Sequence, residues 1–402
     1  MQESSTVVTN ETSITPESKQ TKGTQYLLLG LIFAGIFYAY FIQPAEGQGT
    51  SKNPKSVMRW MVGHWEEVSN YSHGPLIPLI SAGLIFRRSR RFLHLWNTNK
   101  NFQTLCYVVG AIVGIGLAWD SLPKPFMHFV MGLLDRVGIQ KYDYISYTLF
   151  IPLFASLGFY LSEQIPAKSS KWGLFLTLFG VFVYWIGIKS AQTHTVVMSF
   201  IILLYGVPLY VFGREASRWL VFPISFLFLM VPLNFLDRIT VPLANFVTMC
   251  AAGICNTIGV EVVYRGTAIM SAKGAFQFEI AEACSGIRSL VALGMVTAVY
   301  AYLTENVQWK RWAIFFASLP LAVLGNIARV TTIMLVAQAF GQNVAGGLYH
   351  DYSSFIFFPV ALLGMLVFAA MLNLNYPLIW KRLTSSSSNH SPPPSATTES
   401  PV

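Results

Sequence analysis

The chain alternates long apolar runs with short polar breaks. An α-helix needs ~20 mostly apolar residues to cross a bilayer core at ~1.5 Å per residue. Runs at or approaching that length lie near 26–43, 74–86, 103–119, 144–162, 172–188, 195–213, 219–236, 286–303, 312–338 and 353–373. The second reaches a crossing length only by taking in the polar Tyr-Ser-His-Gly stretch before it. Ten crossings return both ends to one side. This predicts an all-α polytopic membrane protein with about 8–10 transmembrane helices. Residues 26–375 form the multi-spanning domain. The Ser/Thr-rich residues 1–25 read as a disordered cytoplasmic tail, and the Ser/Pro-rich residues 383–402 as a second one.

Charge placement tests that count. With the N-terminus cytoplasmic, the inner connections carry Arg87, Arg88, Arg90 and Arg91, then Lys168 and Lys171, Arg214 and Arg218, Lys310 and Arg311, and Lys381 and Arg382. Each holds at least two basic residues, as the positive-inside rule asks. The outer segments also carry Lys52, Lys55, Arg59, Lys124 and Arg136, but over longer stretches diluted by acids. Two outer stretches have helical apolar period without the look of spans, 123–139 and 241–259. Both read as interfacial helices. The segment that follows, 260–283, is β-branched, aromatic and punctuated by Gly, which predicts a short β-hairpin.

Composition fits this picture: 53% of residues are hydrophobic and 11% charged, against about 25% charged in soluble domains. The net charge of +9 resides in short connections rather than on one helix face. It therefore reads as orientation signals, with the lipid bilayer and not nucleic acid as the partner. Four cysteines (Cys106, Cys250, Cys255, Cys284) form no disulfide framework, no CxxC and no Cys/His metal spacing, so neither a metal nor a cofactor is expected. Cys250 and Cys255, five apart on a helix, point away from each other and read as apolar fillers.

Cys284 is different in position, since it ends the hairpin segment at the outer mouth of the next span. A lone cysteine at a helix start is usually a packed small residue. Here two partners reach the same side. Arg329 lies 17 residues along the run that begins at Trp312, ~26 Å at 1.5 Å per residue, and so near the outer boundary. His350 lies in the outer loop that follows. A nearby cation and a helix N-terminus favour a thiolate, a histidine can take and return the proton, and an arginine can hold an oxyanion. Together the three spell acyl transfer at a peptide bond. Arg288, one turn after the cysteine, assists the thiolate or snorkels to headgroups. His73 serves a helix entry or the site. Glu279 and Glu282 orient His350, bind a basic substrate feature, or are simply solvated.

The motifs Ala-Cys-Ser-Gly-Ile-Arg-Ser (283–289), Asn-Ile-Ala-Arg (326–329) and His-Asp-Tyr-Ser-Ser (350–354), in that order, resemble the exosortase/archaeosortase family. The stretch 71–88 also resembles the start of that family's core, and the likeness covers roughly 60–375. One position departs: Ser354 stands where relatives often carry Gly. The resemblance implies a membrane cysteine transpeptidase with Cys284 as nucleophile and Arg329 and His350 as its partners. It implies substrates among exported proteins bearing a C-terminal sorting signal, namely a Pro-Glu-Pro-type motif, an apolar helix and a basic cluster. Cleavage would proceed through a thioester that passes to an unknown acyl acceptor. A histidine at the third position points to the bacterial branch, hence to a bacterial inner membrane with both tails cytoplasmic and the site on the extracytoplasmic face. The rival readings are a transporter whose pathway is lined by Arg329 and Asn326, against which no internal repeat is found, and a thiol–disulfide enzyme, for which Cys284 lacks a sequence neighbour.

Overall fold

The computed structural model describes residues 16–50, 53–67, 71, 73–117, 123–136, 139–165, 170–232, 234–279, 287–346 and 350–374. Two compact units divide the chain, one up to Phe235 and one from Leu236.

In the N-terminal unit, α1 (Pro16–Phe37) runs on into one π turn, Tyr38–Ile42. Pro16 opens the helix at a position where a missing N–H removes nothing. Part of the tail expected to be disordered is thus helical. A two-stranded ribbon follows, β1 (Pro44–Thr50) with β2 (Asn53–Ser56), leading into α2 (Val57–Glu67). Next come α3 (Leu76–Phe86), α4 (Arg90–Thr98), α5 (Lys100–Leu117), α6 (Lys124–Arg136) and α7 (Lys141–Ser162). The core sits where the π turn meets α7 and residues 199–200 further on: Tyr40, Phe41, Phe150 and Phe200 are almost wholly buried with rings 5–6 Å apart, and the Tyr40 hydroxyl meets Ser199 Oγ at 2.5 Å. Arg59 of α2 pairs with Asp143 of α7 at 3.6 Å and donates to the Gln140 side chain. One of the basic residues expected on the outer side is therefore paired with an acid.

The α8 (Lys171–Lys189) and α9 (Thr193–Ser217) pair shows how sequence dictates packing. The buried residues of α8 are Gly173, Gly180 and Gly187, seven apart and so on one face. A Cβ at Gly173 would lie 2.2 Å from the Tyr210 backbone nitrogen, and one at Gly187 would lie 2.6 Å from Val196 Cγ2. Small residues let the helices touch backbone to backbone, the usual device where lipid offers no hydrophobic drive between helices. Trp172, Phe175, Leu178 and Trp185 of α8 face outward. Near its end α9 breaks at Gly213, whose φ of 74° suits glycine.

The run 219–236 was expected to span. Instead it holds the six-residue α10 (Val221–Phe226) and one 3₁₀ turn, Leu227–Met230. Conversely α11 (Asn234–Thr257), expected to lie in the interface over 241–259, carries in Ile239–Thr257 a stretch long and apolar enough to cross. Among the described residues five helices meet that measure: α7, α8, α9, this part of α11, and α13 (Gln308–Phe340). Shorter apolar helices occupy most of the other expected runs.

The C-terminal unit begins with α11, whose buried Thr240, Ala244, Val247, Thr248, Ala251 and Cys255 form one stripe at spacings of three and four. The expected hairpin follows as β3 (Val262–Arg265) and β4 (Ala268–Ser271), turning through Gly266 at φ 61°, and a third antiparallel strand, β5 (Gln277–Glu279), joins it. Asn256 pins the first strand by accepting from Val262 N at 2.8 Å and donating to its carbonyl at 3.1 Å. Val262, Ile269 and Phe276 of this sheet bury against α11 and against Val330, Ile333, Met334 and Ala337 of α13. Three helices complete the unit: α12 (Ile287–Thr304), α13, and, after the single turn α14 (Gln342–Val344), α15 (His350–Leu372).

Candidate active site

α12, α13 and α15 pack antiparallel in succession through small residues. Leu293, Ala322 and Ala361 form one buried cluster. A Cβ at Gly325 would lie 3.5 Å from that of Ala361, and one at Gly364 would lie 3.3 Å from Leu321. At the base of this trio Glu305 is buried. The Asn373 amide donates to its carboxylate at 2.5 Å, and Lys310 Nζ donates to the Asn373 carbonyl oxygen at 2.6 Å. The register is thereby fixed at one end.

Further along, the three helices enclose a cavity of about 20 Å³, room for about one water. Its walls are Ser289 and Leu293 from α12, Ala322, Gly325, Asn326 and Arg329 from α13, and Phe357, Phe358 and Ala361 from α15. Asn326 and Arg329, three apart, share a helix face and are 4% and 8% exposed. The neighbouring threonines do not compete for that space: Thr331 Oγ1 donates to the Ile327 carbonyl and Thr332 Oγ1 to that of Arg329, at 2.8 and 2.9 Å. What faces the cavity is a permanent cation with five N–H donors, an amide and a hydroxyl. Such a group can hold a carbonyl oxygen as it gains charge.

The expected site residues divide as follows. Arg329 and Asn326 come together on the cavity wall. Cys284 and Glu282 lie outside the described residues. Arg288 falls in the first turn of α12, Glu279 closes β5 and His350 opens α15, their side chains being outside what the structure describes. The His350 position is seven residues, two turns, before Phe357 and on the same helix face. Gly325 packs beside Phe357, so His350 opens its helix about one turn beyond the level of Arg329. His73 belongs to the N-terminal unit. It sits buried in the turn before α3, its ring 6.0 Å from Tyr71, where Leu76 N donates to its carbonyl at 3.1 Å. Its neighbour Gly74 lies under Trp65, leaving 2.5 Å for a Cβ. Ser289 was missed as a wall residue; nothing in its own run sets it apart from Thr297 further along. Among the described residues no group of three or more His, Cys, Asp or Glu could hold a metal ion.

A helical, multi-pass membrane protein with a buried arginine among three close-packed helices is the class this geometry defines. Residues 139–367, more than half of the chain, match the transmembrane exosortase (Exosortase_EpsH) family, and the protein belongs to it. The match runs from the residues before α7 into the last turns of α15 and includes the three motifs, whereas residues 71–88 precede it. No curated protein and no solved structure matches the chain.

Proposed function

We propose that the protein is a membrane cysteine peptidase that cleaves a C-terminal sorting signal from exported proteins and hands the new C-terminus to an acceptor. The observation that carries this reading is Arg329, buried in an apolar helix yet turned to a cavity shared with Asn326 and Ser289. Burying a guanidinium there is costly enough to call for a task. The antiparallel register supports the partners. Leu293 and Ala322 share a cluster, and seven residues along α13 from Ala322 is Arg329. Seven residues back from Leu293 is Gly286, two from Cys284.

In this reading His350 takes the thiol proton as Cys284 Sγ attacks the scissile carbonyl, and Arg329 receives the oxyanion. The carbon–nitrogen bond breaks, His350 returns the proton to the leaving amine, and a thioester remains on Cys284. An amine acceptor or water then attacks the thioester and frees the thiol. Asn326 orients the guanidinium. The substrate is a protein with a Pro-Glu-Pro-type motif, an apolar helix and a basic cluster. That helix lies beside the bundle, with the scissile bond at the extracytoplasmic surface of a bacterial inner membrane and both tails of the enzyme in the cytoplasm. The test is co-expression with a protein bearing such a tail: wild type shortens it and Cys284→Ala does not. Equal shortening by both would overturn the proposal.

A further inference from the structure

The N-terminal unit holds a second, larger cavity, of about 280 Å³, between α1 and α7. Its walls are Leu29, Gly30 and Phe33 on one helix and Phe154, Leu157 and Gly158 on the other, with Tyr26 and Ser162 at one end. Two glycines make the space, since a Cβ added at Gly30 or Gly158 meets no atom within 4 Å. Both hydroxyls at the rim are engaged: Tyr26 donates to the Gln164 carbonyl at 2.7 Å and Ser162 to that of Phe159 at 2.8 Å. Nothing there invites water. An apolar cavity of ~150 Å³ already stays dry and takes up a benzene, and this one is nearly twice that size.

The end marked by Ser162 is also where the chain gathers charge. Glu163, the next residue, accepts from the Ser89 hydroxyl and from the backbone N–H groups of Arg90 and Arg91, at 2.9 and 2.7 Å. This fastens the Arg-Arg-Ser-Arg-Arg connection, 87–91, to the end of α7. The connection carries four exposed arginines, and the one carboxylate fastened to it is bonded to a hydroxyl and to backbone N–H groups rather than to their guanidiniums. Arg88 stacks at 3.7 Å over Trp219, with Arg218 at 5.1 Å from the same ring. Among the described residues no carboxylate forms an ion pair with Arg87, Arg90 or Arg91.

We propose that this cavity and the arginine connection form a binding site for one anionic phospholipid, an acyl chain between α1 and α7 and the phosphate against Arg90 and Arg91. The two halves of the site match the two halves of the ligand, and the ligand is supplied by the leaflet in which α1 stands. None of its residues belongs to the candidate active site, and all lie in the N-terminal unit.

Native mass spectrometry of the full chain, released from nanodiscs of equal dioleoyl-phosphatidylglycerol and dioleoyl-phosphatidylcholine, tests this. Wild type should retain one phosphatidylglycerol in clear preference to phosphatidylcholine. Arg90→Gln with Arg91→Gln should lower that preference about fivefold for each arginine removed. Gly158→Phe should abolish retention with helix content unchanged by circular dichroism; if it fails to fold, Gly30→Phe fills the same space from α1. Equal retention of both lipids by wild type, an unchanged preference in the arginine variant, or wild-type retention by the filled variants would each overturn the assignment.

Discussion

Replacing Arg329 separates a working group from a structural one, because losing the first costs mainly activity and losing the second mainly stability. Inserting an arginine at the centre of a membrane helix costs about 2.5–3.5 kcal/mol. Arg329 lies 17 residues beyond Trp312, ~26 Å along the axis, so it stands nearer the boundary and the penalty is smaller. Methionine has similar reach and no charge. Relief of that penalty offsets the loss of the guanidinium's buried polar contacts, so Arg329→Met should change stability by no more than about 2 kcal/mol in either direction. Processing should fall by ~10²–10³, the cost of one missing oxyanion donor. Lysine keeps the charge but loses the planar fork, and Arg329→Lys should recover only a small part of the activity. Unfolding of purified protein in mixed micelles gives the stability, and the rate of tail cleavage per folded enzyme gives the activity. Were Arg329 instead half of a structural ion pair, Arg329→Met would destabilise by about 3–5 kcal/mol and activity per folded molecule would hold. That pair of results would refute the reasoning.

The remaining predictions concern the nucleophile and the packing. Cys284→Ser should lose cleavage while the protein still inserts and folds, checked by protease accessibility of its tails; retained cleavage would remove the thioester. Gly173→Leu forces α8 off the Tyr210 backbone, which cannot retreat as a side chain could, and should cost at least about 1–3 kcal/mol of stability. The same change at Gly83, where a Cβ meets no atom within 4 Å, should be nearly silent, so comparing the two unfolding midpoints controls for size. Trp65→Phe removes the donor to the Met230 carbonyl at 2.8 Å, and the buried acceptor left behind should cost about 1–3 kcal/mol in the same assay.

Much of this molecule can be read from apolar periodicity, because in lipid the backbone must close its hydrogen bonds within the helix and the helix must be long enough. The spans 144–162, 172–188, 195–213 and 312–338 correspond to α7, α8, α9 and α13 within a few residues. Hydropathy misleads at 219–236: it counts Leu and Phe but not Pro232, which holds Val231 extended and ends the run after a short helix and one turn. Strand β5 was not foreseen as a separate strand because Gln277 and Glu279 carry little β propensity; pairing with β4 overrides it. At the site, the buried arginine and its neighbour Asn326 could be named from their cost in an apolar run. Ser289 and Gly325 could not, since a cavity is a property of three helices meeting and no single run carries it. Glu163 was likewise invisible, because its three partners lie more than seventy residues away in sequence.

The 33 residues of α13 make a rod of ~50 Å. Lipid tails fill ~30 Å, and even a lean of ~40° would shorten the rod's vertical reach only to ~38 Å. At least one full turn must therefore stand clear of the oil, in headgroups or water. Met334 and Ala337, the seat of the three-stranded sheet, are near the far tip. The sheet is thus mounted toward one tip of that rod, and its polar edges can be wetted while the middle of the same helix stays among acyl chains.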